Sequence, residues 1–231
     1  MDNSAIYHME FRAEDFPVAN AVSRRNRNAP TRALARSGIL KRATDLAFSI
    51  LGSLILLPLL IIVGLAVKLD TPGPVLFSQT RRGLRGRPFR ILKFRTMTVL
   101  EDGRLIEQAK REDSRVTRVG WWLRRTSIDE LPQLINVIKG DMSLVGPRPH
   151  AVAHDDYYSG LIAEYRERQD VKPGITGWAQ INGARGETPE LDDMRRRVEL
   201  DLWYVHRWTV GLDFKIIMIT ATQILRSPNA F

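Results

Sequence analysis

Polar residues fill the first 38 positions, where Arg, Asn and Ala recur without a long apolar run, and this predicts a mobile tail over residues 1–37. The pattern then inverts. From Leu46 to Val67, 22 consecutive residues carry no charge. That is about 33 Å of helix against a hydrocarbon layer of about 30 Å. Residues 76–97, LFSQTRRGLRGRPFRILKFRTM, read as two short strands around a Gly/Arg loop from Gly83 to Pro88. The strand period puts Ile91, Lys93 and Arg95 on one face. Residues 100–120 are polar and read as a loop. Leu131, Leu134, Ile135 and Ile138 then recur at helical spacing, with Gly140 as the stop. Residues 150–186 combine a short helix with the turn-rich VKPGITGWAQINGARG. An amphipathic helix is predicted over 190–208 and an apolar one over 212–226. The latter, close to Trp203 and Trp208, fits either a core or the plane of a membrane interface. No repeat is visible. Helices with a small β-hairpin make the fold class α+β.

By length alone the apolar run is a single membrane span. Two features argue for a different topology. Cations flank it on both sides, Arg36, Lys41 and Arg42 before it and Lys68, Arg81, Arg82, Arg85 and Arg87 after it, whereas a spanning helix has a cation-poor outer flank. Pro58 stands mid-run, where it removes a backbone donor and can kink the helix. A re-entrant helix over residues 38–70, entering and leaving by one face, satisfies both. Asp45 near its entry also fits an interface better than lipid. Residues 71–231 then form a domain on that face. Nothing resembles a signal peptide.

Charge narrows the partners. The 231 residues carry a formal charge of +9, which calls for an anionic partner: nucleic acid, an anionic membrane or a phosphorylated substrate. The absence of cysteine excludes disulfides, thiolate metal sites and cysteine nucleophiles. With only four histidines, a hard cation such as Mg²⁺ suits the chain better than zinc. A membrane-tethered nucleic-acid binder or adaptor is the alternative function, but no helix-turn-helix, RNA-recognition or zinc motif supports nucleic acid as partner.

The densest chemistry lies in RRTSIDELPQLINVIKGDMSLVGPRPH, residues 124–150. Ser127 to Glu130 matches a capping box, and carboxylates are favoured in a first helical turn. Pro132 prefers the first helical position, which offers the alternative of a helix starting one turn later with Asp129 and Glu130 at its mouth. Arg124 and Arg125 stand nearby, and Arg148 is held between Pro147 and Pro149. Arginine forks and helix mouths both suit phosphate. The basic hairpin reads either as a solvated surface beside the membrane or as the place where Lys93 or Arg95 meets a phosphate. Carboxylates and cations beside a membrane anchor suit phosphoryl transfer. One carboxylate can attack phosphorus and the other can hold Mg²⁺.

KFRTM, TSIDELPQLINVIKGDMSLVGPRP, VKPGITGWAQINGARG and the DLWYVHRW…LDFK ending, in that order, resemble the bacterial sugar transferases over about residues 38–226. These are monotopic polyprenyl-phosphate phosphoglycosyl transferases, and the short form resembles the rhizobial exopolysaccharide-initiating galactose phosphotransferases. The resemblance implies a membrane-associated monotopic fold with interfacial helices at the cytoplasmic face of the bacterial inner membrane. It implies transfer of a phosphosugar, galactose or glucose, from a UDP-sugar to undecaprenyl phosphate with release of UMP. Asp129 would be the covalent nucleophile, Glu130 the Mg²⁺-linked carboxylate, and Lys93, Arg124 and Arg148 the phosphate contacts. A late Asp maps onto Asp213, with Asp201 as the alternative, and the helix break onto Pro58. Leu57 departs from the small polar residue expected before that proline. A homo-oligomer is left open.

Overall fold

A computed structural model describes residues 32–98, 113–186, 188 and 190–226. The predicted tail falls largely outside these residues, and Arg32 already lies in the first helix, α1 (Arg32–Asp70). The elements that follow are β1 (Leu76–Arg82), β2 (Pro88–Phe94), α2 (Arg118–Thr126), α3 (Gln133–Lys139), β3 (Ser143–Val145), α4 (Val152–Leu161), β4 (Gly174–Thr176), α5 (Trp178–Ile181), α6 (Leu191–Arg207) and α7 (Val210–Arg226). The architecture is α+β: helices around an antiparallel β1–β2 hairpin and a short parallel β3–β4 pair.

Pro58 does not end α1, which continues as helix to Asp70. Among the described residues it is the one helix long and apolar enough to cross a membrane. Its faces differ sharply. Ile50, Leu54, Ile55, Ile61, Ile62 and Leu65 are exposed, whereas Asp45, Ser49, Val63 and Val67 are buried. Spacings of four and of multiples of about 3.6 put the buried set on one stripe. That stripe is polar in its first half. Lys41 donates to Asp213 at 2.6 Å and to the Val145 carbonyl at 3.0 Å. Arg42 donates to the carbonyls of Val137 and Ile138, at 2.5 and 2.7 Å, which close α3. Asp45 accepts from Ser143 Oγ and from the Leu144 amide, at 3.1 and 3.0 Å. In the second half Val63 and Val67 pack with Phe94 and Leu123. Asp70 accepts from the Val119 amide at 3.1 Å, satisfying a first-turn donor of α2. Residues flanking the apolar run on both sides are therefore bonded into the same globular unit.

The hairpin register pairs Leu76 with Phe94, Gln79 with Ile91 and Arg82 with Pro88. Its turn passes through Arg85 in left-handed conformation, φ 56°. Residues predicted as loop just before Trp121 are instead the start of α2; most of the rest of 100–120 lies outside the described residues. Thr117 Oγ caps α2 by accepting from the Gly120 amide at 2.9 Å. Gly120 is required there, since a Cβ would stand 2.2 Å from the Thr96 carbonyl oxygen. The β3–β4 pair makes a similar demand: a Cβ on Gly174 would lie 2.1 Å from the Gly146 amide nitrogen. The chain crosses that closely just ahead of Pro147-Arg148-Pro149. Gly140 closes α3 at φ 95°, as its sequence position predicts.

Candidate active site

Asp129 and Glu130 form a single 3₁₀ turn between α2 and α3. The turn exists because α2 stops abruptly. Ser127 takes φ 59°, ψ 15°, a conformation uncommon for a residue with a Cβ, and reverses the chain. Pro132 then starts α3. The capping box is absent: Ser127 makes no side-chain cap bond, and its hydroxyl instead accepts from Arg185 Nη2 at 2.6 Å. Both carboxylates stand at the mouth of α3 and both are buried. Ile128 packs on the Val63/Val67/Phe94/Leu123 core and fixes the turn.

Asn136 aligns this turn with the hairpin. Its side-chain oxygen accepts from the Leu92 amide at 3.0 Å and its nitrogen donates to the Arg90 carbonyl at 2.7 Å. The side chain thus extends the edge of β2 as another strand would. Lys93 is thereby brought to Glu130, donating from Nζ to Oε1 at 3.0 Å. Arg148 also grips Glu130 with both arms of its fork, Nη1 to Oε2 at 2.9 Å and Nη2 to Oε1.

The two neighbouring carboxylates therefore differ. Burial pushes Glu130 upward, but Arg148 and Lys93 together outweigh it and hold its carboxyl well below the usual range. Asp129 receives a hydrogen bond from neither cation. Burial, and next the Glu130 charge, push its carboxyl up to about 6. Lys93 is lowered, first by burial, while Arg148 is raised, chiefly by Glu130. The opposed shifts set the neighbours apart chemically: Glu130 is an anion held by its cations, and Asp129 is the more basic, weakly solvated carboxylate.

The remaining sequence candidates separate. Arg124 is half-buried, and Asp129 is the strongest charge acting on it. Arg125 points elsewhere, its guanidinium 5.0 Å from the Trp121 ring. Arg95 is buried away from the carboxylates and closes the end of α1, donating to the carbonyls of Thr71 and Pro72 at 2.6 and 2.5 Å. It passes the strand's end at Phe94, so the expected shared face with Lys93 is lost. Asp213 accepts from Lys41, from Tyr204 at 2.8 Å and from Trp208 Nε1 at 3.0 Å. These partners make it a buried tie between α1 and α7. Asp201 pairs with Arg168 at 2.7 Å. Arg185 is the residue that sequence reasoning passed over. It reaches Ser127, and Glu130, Arg148 and Asp129 all act on its charge. Its signal was the lone arginine between Ala184 and Gly186 in the quoted turn.

The bacterial sugar transferase profile matches residues 36–227. The chain belongs to the bacterial sugar transferase family. Among curated relatives, it is 56% identical over 182 residues to the UDP-glucose:undecaprenyl-phosphate glucose-1-phosphate transferase of Escherichia coli K12, covering 79% of this chain and 39% of the relative. It is 53% identical over 191 residues to the protein of that name from Caulobacter vibrioides, covering 83% and 72%. It is 44% identical over 197 residues to the exopolysaccharide production protein PSS of Rhizobium leguminosarum, covering 84% and 98%. The chain thus spans about two fifths of the E. coli family member's length but nearly all of the rhizobial one.

Proposed function

We propose that this protein transfers a phosphosugar from a UDP-sugar to undecaprenyl phosphate, as the first membrane step of exopolysaccharide synthesis. The observation that carries the reading is the split pair: Glu130 neutralised by Arg148 and Lys93, with Asp129 beside it unbonded to either and raised to about 6. The Asp129 oxygen attacks the sugar-bearing β-phosphorus. The new O–P bond forms as the bridge to the α-phosphate breaks, and UMP leaves with that electron pair. An oxygen of undecaprenyl phosphate then attacks the same phosphorus, the aspartyl bond breaks and the Asp129 carboxylate is restored. Arg148, Arg124 and Arg185 surround the pair and oppose the charge that develops on the phosphates.

Among the described residues no three His, Asp or Glu gather into a metal cluster. Mg²⁺ is commonly held by one or two carboxylates plus substrate phosphates, and the Asp129–Glu130 pair suits that arrangement. Three cation hydrogen bonds occupy Glu130, leaving about one of its four acceptor directions. Glu130, through that remaining direction, and Asp129 would be the residues that hold the ion. When bound it would screen the repulsion between carboxylate and diphosphate.

The named activity of the E. coli and Caulobacter relatives makes glucose the preferred sugar, ahead of galactose. A panel of UDP-sugars with undecaprenyl phosphate and Mg²⁺ tests this. UDP-glucose is expected to release UMP fastest; no UMP from any sugar nucleotide would refute the function.

For topology we read α1 as re-entrant. A support is that Lys41, just before the apolar run, and Asp70, at the end of α1, bond to one globular unit. In a straight span those residues would stand about 43 Å apart, more than the hydrocarbon layer. Gly38→Cys and Pro72→Cys are both expected to react with an impermeant thiol reagent only from the cytoplasmic side. Labelling of either from the periplasm in intact cells would show that α1 spans.

A further inference from the structure

Two of the arginines around Asp129 arrive on separate loops, Arg148 on the Pro-Arg-Pro turn and Arg185 on the turn after α5. Each loop's backbone is gripped by a second, buried arginine. Arg168 donates from Nη2 to the Arg148 carbonyl at 2.8 Å, and Arg197 donates from Nη2 to the Gly186 carbonyl at 2.5 Å. Between these two cations lies the His150 ring. Its Nδ1 is 3.2 Å from Arg168 Nη1 and its Nε2 is 3.5 Å from Arg197 Nη1. The ring is itself fixed, since the Tyr165 hydroxyl meets Nδ1 at 2.5 Å and donates to Asp155 at 2.9 Å. Asp201 balances Arg168 at 2.7 Å. Arg168, His150 and Arg197 run from one loop to the other, and Asp201, Tyr165 and Asp155 hold them from outside.

We infer that His150 is a positioning residue, a neutral spacer through which Arg168 and Arg197 set the separation of Arg148 and Arg185 across the donor diphosphate. The catalytic part of this inference rests on the function proposed above. An imidazole suits the task because its rigid ring sets a fixed spacing while, neutral, it accepts at Nε2 from Arg197 and donates from Nδ1 to Tyr165, with Arg168 Nη1 packed against the Nδ1 edge. A charged spacer would repel both guanidiniums. Burial first, and then Arg168 and Arg197, hold His150 well below its usual pKa, so it stays uncharged.

The test compares His150→Phe, which keeps a flat ring but has no ring nitrogen, with His150→Gln, which restores polar atoms. Amide hydrogen exchange is followed in segments 144–150 and 182–186, with α3 as internal standard. His150→Phe is expected to accelerate exchange in both segments while α3 is unchanged, and His150→Gln to reverse much of that. In the reaction, His150→Phe is expected to raise KM for UDP-glucose about tenfold, because two misplaced forks no longer match the diphosphate. Acceleration in 144–150 alone would overturn the spacer, and so would acceleration in α3 as well, which reports general loosening. An unchanged KM with fewer folded molecules would overturn the positioning role. Should the wild-type protein release no UMP from any donor, the functional reading falls, while the exchange measurement still decides whether His150 bridges the loops.

Discussion

Asp129→Asn is expected to abolish exchange of labelled UMP into UDP-glucose and at the same time to stabilise the fold. Both effects come from one cause. The carboxylate is raised from 3.8 to about 6, first by burial and next by Glu130, so folding places a charge where it is disfavoured. For an acid raised in this way the penalty is absent below the unfolded value near 3.8, grows between there and about 6, and is complete above. Two units correspond to about 3 kcal/mol. Asn keeps the shape and removes the charge, so the variant should gain about 2–3 kcal/mol at pH 8 and nothing at pH 3.5. Chemical denaturation at the two pH values measures this. The wild-type exchange rate should also fall about tenfold per unit below pH 6, as the nucleophile becomes protonated. A helix-capping role predicts the reverse pattern: a loss of about 1 kcal/mol in the variant with exchange per folded molecule intact. Exchange at near wild-type rate in Asp129→Asn would remove it from the chemistry.

Arg148→Ala should be among the most destabilising single changes in the site. Glu130 is buried and depends on Arg148 for two of its three cation bonds. Breaking such a pair from one side costs about 3–5 kcal/mol, because a charge is left in a poor environment. The sign with pH is opposite to that of Asp129. The Glu130 carboxyl is depressed below 4.5, so its contribution is present above 4.5 and lost as pH falls through its lower folded value. The cost of Arg148→Ala should therefore shrink in acid, and also in a Glu130→Gln background, where no charge is stranded. Arg148→Lys keeps the charge but replaces the planar fork with a single ammonium. It should retain most of the stability and lose about a hundredfold in turnover, the scale of one removed oxyanion donor. Wild-type turnover in Arg148→Lys would exclude the fork from the reaction.

These residues were legible for particular reasons. Asp129, Glu130 and Arg148 stand out because prolines and a helix start constrain them within a few positions in sequence. Lys93 and Arg95 were indistinguishable there, since a strand's period gives them one face. Only the end of β2 at Phe94 sends Arg95 to the carbonyls of α1 and leaves Lys93 at Glu130. The long α1 and the hairpin were readable from pattern alone. The start of α2 was not, because its glycine and arginines look like loop until the Thr96 carbonyl and Asp70 supply its packing and cap. Asn136, Arg185 and the His150 spacer act through partners 18 to 58 residues away in sequence, and no local window contains both members of such a contact.

The polar stripe on α1 also has a consequence in time. Lys41 and Asp213 are 172 residues apart in sequence. During synthesis the apolar helix is complete long before its counter-ion exists. At about 5–20 residues per second the lag is roughly 10–30 s. Arg42 and Asp45 wait 95 to 99 residues for their partners on α3 and β3, and Lys41 waits the full 172 for Asp213 on α7. The apolar helix is thus finished while its polar stripe still waits for those partners. Its final seating can be completed only when α7 has emerged, so the first helix made is among the last to be secured.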